Sequence, residues 1–316
     1  MVTVVPEDFP RTLPEFERRI ATEARCREFL AKLRWPDGFV CPTCQSRAGY
    51  KLNARDLFEC PDCGHQTSVT AGTVFHGTRK PLRLWFKAMF LLSASKAGLS
   101  ATSLRRLLGF KSDQTAWVWL HKLRKAMVRP DRPKLEGKVE LDEAYVGGVV
   151  EGVSGRATPN PVVLAAVERL DGPASRRPAL GRLRLEVAED CTEVSTTTFA
   201  AANVVAGSIV LTDGMTSYGE LGQVGYDHRP RRVGKPKRAS KLLPGVHRIF
   251  SLVKRWLLST HQGAVSPGHL QAYLDEFVFR FNRRKSSHPG KLVYRLLELA
   301  VATKPYPFNS IVAATA

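Results

Sequence analysis

Two groups of residues in this 316-residue sequence have the types and spacing to do chemistry. The first is Cys41-Pro-Thr-Cys44, fifteen residues, then Cys60-Pro-Asp-Cys63-Gly64. Each Cys-x-x-Cys knuckle can present two thiolates to one tetrahedral ion, and this separation of the knuckles matches a four-cysteine zinc site. Gly64 suits the tight turn behind the last sulfur. The other reading is a set of buried or disulfide-paired cysteines, which a reducing compartment disfavours. His65 and His76 are minor competing ligands, while Cys26 and Cys191 lack partners at ligand spacing and read as small core residues. The second group is acidic. The stretch VELDEAYVGG (139–148) carries Glu140, Asp142 and Glu143, and the apolar run 208–212 ends in Asp213-Gly214. Side chains alternate along a strand, so Glu140 and Asp142 take one face and Glu143 the other. If the two strands adjoin, Asp142 and Asp213 can share a pair of divalent ions. Two metals are what a phosphodiester needs to hold both its attacking and its leaving oxygen. Taken singly, each aspartate reads first as a turn or surface acid.

Positioning these groups requires a multidomain α/β frame. Thr12-Leu-Pro-Glu15 opens a capped helix, with Phe16, Ile20, Phe29, Leu30 and Leu33 as its apolar positions. The predicted divisions are an N-terminal helical segment (1–36), a zinc ribbon (37–78), a basic helical region (79–134), a catalytic domain (135–290) and a C-terminal tail (291–316). Within the fourth, β-type runs at 139–146, 161–168 and 183–188 precede a helix at 192–205 and a strand at 208–212. Two helices follow at about 246–260 and 267–284, the second opened by Ser266-Pro267. Strands, a helix, another strand and further helices make an α/β order.

The net charge of +19 and a pI near 10 call for a polyanionic partner, most simply nucleic acid. A membrane surface is the other polyanion, but no basic amphipathic helix has an apolar face free for it, and no apolar run is long enough to span. The N-terminal residues show no basic start followed by an apolar run and do not read as a signal peptide, so the chain is expected in the cytoplasm without membrane attachment. From Arg79 to Arg129 there are twelve Lys or Arg against a single acid, Asp113. Here GLSATSLRRLLGFKSDQTAWVWLHKLRKAM reads as helix, turn at Gly109, helix, with Ser100 and Ser112 as caps. Leu104, Leu107, Leu108, Trp117, Leu120 and Leu123 form the apolar faces. A helix-turn-helix reading sets Gln114, Thr115 and residues 117–121 near a DNA groove, with Lys111, Lys122, Arg124 and Lys125 on phosphates. A plain helical hairpin with a solvated basic face is the competing one. A second basic stretch, Arg229 to Leu274, holds ten Lys or Arg and no acid, and its Arg231, Arg232, Lys237 and Arg238 are expected to follow a DNA backbone. It runs into LPGVHRIFSLVKRWLLSTHQG, where His247 and Lys254 lie two helical turns apart on one face. Ile249, Phe250, Val253, Trp256 and Leu257 take the opposite face. By pattern alone that polar face is a solvated one.

The motifs RWPDGFVCPTC, CPDCGHQTSVTAGTVFHGTRKPL, VELDEAYVGG, LTDG and VHRIFSLVKRWLLSTHQGAVSPGHLQAYLDEFVFRFNRR, in this order, resemble the bacterial insertion-sequence transposases of the fifteen-ninety-five (ISXO-like) family. The resemblance runs from about residue 14 to 290. It implies an N-terminal zinc-binding and DNA-binding region followed by an RNase H-like α/β/α domain. Such a domain cuts and joins double-stranded DNA at terminal inverted repeats and target sites, as an oligomer on DNA. It implies Asp142 and Asp213 as ligands of two Mg²⁺ or Mn²⁺. His247 then stands at a variable third ligand position, with Lys254 on the scissile phosphate, a departure from Asp-Asp-Glu. Glu140 is expected near the metals and Glu143 as a neighbouring support. The rival of another class is a zinc-ribbon, helix-turn-helix DNA-binding regulator whose C-terminal domain is inactive.

Overall fold

The computed structural model describes residues 5–129, 131–147, 158–170, 179–231, 242–263 and 265–313. The chain divides into two compact units, one built from 1–129 and 285–313 and the other essentially from 130–284.

In the first unit, α1 (Leu13–Arg19) begins with a complete capping box, Thr12 and Glu15 each satisfying the other's backbone N–H. Helix α2 (Glu23–Arg34) leads into a three-stranded antiparallel sheet, β1 (Tyr50–Leu52), β2 (Leu57–Glu59) and β3 (Gln66–Ser68). Three helices follow, α3 (Leu82–Ala94), α4 (Ala101–Leu108) and α5 (Asp113–Ala126). Ser100 and Ser112 cap α4 and α5 through their hydroxyls, as their positions predict. Gly109 ends α4 with φ 68°, a left-handed value that glycine adopts without Cβ strain. Leu104, Leu120 and Leu123 are buried as expected, but Leu107 is 54% exposed. Trp119 fills the core instead, stacked on Trp85 with ring centroids 3.6 Å apart.

The expected C-terminal tail is not one. Residues 289–302 form a helix, numbered α9 below, whose Val293, Leu296, Leu297 and Ala300 are fully buried. It packs on α2, α3 and α5 within the first unit. Its apolar residues recur at helical spacing, which requires a covering surface.

The second unit is a five-stranded mixed sheet in the order β6-β5-β4-β7-β8. Strands β4 (Lys138–Tyr145), β5 (Val162–Leu170) and β6 (Ala179–Ala188) are antiparallel neighbours. Helix α6 (Glu193–Asn203) then returns the chain to β7 (Ile209–Thr212), parallel to β4, and on to β8 (Asp227–Pro230), parallel to β7. The edge strand β8 has no apolar alternation and was not legible in the sequence. Two helices close the unit, α7 (Pro244–His261) and α8 (Pro267–Asn282); α9 (Pro289–Ala302) and the short α10 (Phe308–Ala313) return to the first. Alternate residues of β5 enter two cores. Val162, Leu164 and Ala166 pack with Val139, Leu141 and Phe199 of α6. Val163, Ala165 and Val167 pack with Ile249 and Val253 of α7 and Leu270 and Leu274 of α8. The sheet therefore lies between one helix and two. Among the described residues no helix is long and apolar enough to cross a membrane.

Candidate catalytic and metal-binding sites

The four cysteines of the two knuckles converge at one end of the β1–β3 sheet. The Sγ atoms of Cys41 and Cys63 are 3.6 Å apart, as are those of Cys44 and Cys60. Four sulfurs about 2.3 Å from one tetrahedral zinc would be about 3.8 Å apart, so the spacing fits the ion; all four cysteines are free thiols. Among the described residues this is the group of His, Cys, Asp or Glu that brings at least three ligand atoms within 4.8 Å of one another. Backbone N–H groups of Cys44 and Thr43 pull the Cys41 thiol down to about 6, while hydrogen bonding among the crowded sulfurs pushes the Cys63 thiol up to about 12. Gly64 has φ 66°, the turn its position predicts. Trp35, Phe39 and Phe58 pack behind the buried Cys41 and Cys60. His76 accepts a hydrogen bond from the Gly72 N–H within a turn and stands outside the cysteine group. Cys26 is buried as expected, and Cys191 is half-buried against Ser217.

In the second unit the register of β4 decides which acids meet. Val139 and Leu141 enter the α6 core, so Glu140 and Asp142 point to the opposite side, toward α7. Glu143 returns to the α6 side, where the buried Tyr218 hydroxyl donates to it. Burial first, and the Glu143 charge second, hold the Tyr218 phenol far above its ordinary range. Glu140 is paired with Leu211 across the parallel β4–β7 ladder. Two residues further along, that register sets Asp213, at the C-terminal end of β7, beside Asp142. The ends of parallel strands are where open α/β sheets place their sites. Asp213 turns sharply, its Oδ1 accepting from the Met215 N–H, with Gly214 at φ 79°.

His247 arrives from the first turn of α7, its Nε2 3.7 Å from Asp142 Oδ2. Burial lowers its pKa, only partly offset by the charges of Glu140 and Asp213, so the ring is neutral near pH 7. Asp142 is pushed up to about 8, mostly by burial and then by the neighbouring charges of Glu143, Asp213 and Glu140. A buried carboxylate crowded by other acids is what a divalent cation would relieve. Asp142, Asp213 and His247 do not form a single tight cage like the cysteines. A two-metal site with bound water is wider than such a cage, and the oxygen-rich donor set with one imidazole fits Mg²⁺ or Mn²⁺. Lys254 lies on the exposed face of α7, while Ile249, Phe250, Val253, Trp256 and Leu257 are buried as expected. The carboxylate of Glu140 is fully buried on the Asp142 side of β4, where its charge acts on both Asp142 and His247, and it accepts from the backbone N–H groups of Gly245 and Val246.

The expected DNA contacts are in part corrected. Arg124 is only 1% exposed, and Trp119, Leu120 and His121 are also buried, so these side chains belong to the core. They occupy the face of α5 that packs against its neighbours. Lys111, Gln114 and Lys125 are exposed, and Lys122 is half-buried, its pKa lowered by desolvation. Arg231 is exposed. Arg232, Lys237 and Arg238 lie outside the described residues.

Residues 134–282 match the family described as the ISXO2-like transposase domain, and residues 21–66 the transposase zinc-ribbon domain. A Halobacterium salinarum protein described as "Uncharacterized protein in transposable element ISH50" is 27% identical over 301 residues. The alignment covers 90% of this chain and 99% of that protein.

Proposed function

We propose that this chain, which belongs to the ISXO2-like transposases, binds the terminal inverted repeats of its element and cleaves and joins DNA strands there. The observation that carries this reading is the convergence of Asp142 on β4, Asp213 just past the C-terminal end of β7 and His247 in the first turn of α7. The sheet order supports an RNase H-like reading, since it makes the first and fourth strands of the domain neighbours.

Asp142 and Asp213 hold two divalent cations, with neutral His247 as a further ligand through a ring nitrogen. When bound, the cations supply activation of the attacking oxygen and stabilisation of the leaving one. Lys254, two turns along the same face of α7, meets the phosphate as a point charge. The four cysteines hold one zinc that shapes the ribbon. Helices α4 and α5 form the helix-turn-helix, with Gln114 toward the groove and Lys111, Lys122 and Lys125 toward phosphates. Arg231, Arg232, Lys237 and Arg238 track the DNA backbone near the catalytic acids. The protein acts in the cytoplasm as an oligomer on DNA.

The test is cleavage and joining of labelled DNA ends bearing the element's repeats, in Mg²⁺ and in Mn²⁺. Asp142→Ala and Asp213→Ala abolish both steps while binding of the repeat persists. His247→Ala loses most activity and His247→Glu recovers part of it. Wild-type cleavage in either aspartate variant overturns the mechanism. A wild-type chain that binds the repeats and never cuts them is the DNA-binding regulator instead.

A further inference from the structure

Helix α7 lacks a cap of its own. Its N-cap residue is Leu243, which offers no side-chain acceptor, and Pro244 at the first position has no N–H to satisfy. The next two N–H groups, of Gly245 and Val246, both donate to Glu140 Oε2, at 2.7 and 2.9 Å. The N–H of His247 reaches the Leu243 carbonyl at 3.2 Å. The first turn is therefore capped by a carboxylate 105 residues earlier in the chain, on the strand that carries Asp142.

A carboxylate that is fully buried must be compensated, and Glu140 is compensated three ways. It accepts two backbone hydrogen bonds, it sits at the positive end of the helix dipole, and Arg169 lies 3.5 Å from Oε1. The fit is close. A Cβ on Gly245 would stand 2.7 Å from Glu140 Oε2 and 2.9 Å from Leu180 Cδ2. Glu140 and Asp142 occupy the same face of β4, one strand repeat apart, and His247 follows directly after Val246.

We propose that Glu140 is a positioning residue, which clamps the first turn of α7 to β4 and so sets His247 at its working distance from Asp142. Two ligands from elements far apart in sequence are held in register by one buried carboxylate. The proposal rests on the reading of Asp142, Asp213 and His247 as the metal site.

Binding of Mn²⁺ alone to the zinc-loaded full chain, followed by electron paramagnetic resonance, tests it without catalysis. Glu140→Leu removes the acceptor and weakens Mn²⁺ affinity about 10-fold or more, the range for losing a residue that orients a ligand. Glu140→Gln keeps an acceptor oxygen at the same reach and restores much of that loss. Gly245→Ala leaves the acid in the chain but sets a methyl against its Oε2, so that the acid or the helix turn must give way and the clamp loosens, with a loss of affinity in the same direction. Alanine ordinarily favours a helix over glycine, so a folded Gly245→Ala protein with weakened Mn²⁺ binding separates positioning from general stability. In a His247→Ala background, neither Glu140→Leu nor Gly245→Ala weakens binding further. Wild-type affinity in folded Gly245→Ala overturns the proposal, as does an effect that adds fully to His247→Ala. Retained Mn²⁺ binding in Asp213→Ala overturns instead the metal site itself.

Discussion

Asp142 is a buried acid crowded by other acids, Glu143, Asp213 and Glu140. Its pKa of about 8, against an ordinary 3.8, states the conflict in electrostatic terms. The folded value lies above the unfolded one, so between them the folded state holds a proton that the unfolded state has released. Stability without divalent cation therefore falls as pH rises from about 4 to about 8. Asp142→Asn removes that slope. At pH 8 and without divalent cation, the variant is more stable than the wild type by a few kcal/mol, since each tenfold difference in proton affinity is worth about 1.4 kcal/mol. Chemical denaturation at pH 5 and pH 8, with zinc retained, measures this; an unchanged slope in the variant places the charge conflict elsewhere. His247 shows the complementary adjustment, since burial keeps its ring neutral and free to use a nitrogen lone pair.

At the scale of elements, local sequence explains most starts and stops, and long-range contacts explain the exceptions. The Thr12, Ser100 and Ser112 caps and the Gly109 stop are all written beside the helices they serve. The start of α7 is not, because its acceptor is Glu140. The ribbon has little apolar support of its own: its core is two cysteines and a few aromatics. In so small a module metal binding and folding are coupled. Cys60→Ser combined with Cys63→Ser should lower bound zinc from about one equivalent to none, with loss of local order around β1–β3. Metal analysis of the purified protein reads the first effect and amide exchange the second; a full equivalent of zinc in the double variant ends the assignment.

For the whole molecule, the chain leaves the first unit after residue 129 and returns to it at 285. Helix α9 buries Val293, Leu296, Leu297 and Ala300, and the ring of Tyr294 meets Phe9 edge-on at 5.2 Å. Removing three or four fully buried aliphatic side chains costs several kcal/mol, at roughly 1.5–3 kcal/mol for each. That is comparable with the stability of a domain. A chain ending at Arg284 should therefore lose cooperative melting of its first unit while the second unit, which ends there, keeps its own transition. Calorimetry distinguishes the two, and a first transition unchanged by the truncation would show that α9 is dispensable. The +19 charge acts at this scale as well, as an attraction for polyanions that depends on salt.

The sequence by itself determined whatever depends on near neighbours or on fixed spacing. The paired knuckles, the capping residues, the alternation that separates Glu143 from Glu140 and Asp142, and the two-turn interval of His247 and Lys254 are of this kind. It also determined the order of strands and helices from β4 to α8, edge strand β8 apart, because periods of 2 and 3.6 are local properties. Only the tertiary structure decided which surfaces meet. Arg124 reads as a phosphate contact by charge, yet one helical face is needed for packing and Arg124 lies on it. Residues 291–316 read as a tail because nothing near them supplies a partner; the partners of α9, which are α2, α3 and α5, lie more than 160 residues earlier. Alternation alone gives Glu140 the face it shares with Asp142. Where a side chain ends is set by what approaches that face, and here the unsatisfied N–H groups of α7 arrive first.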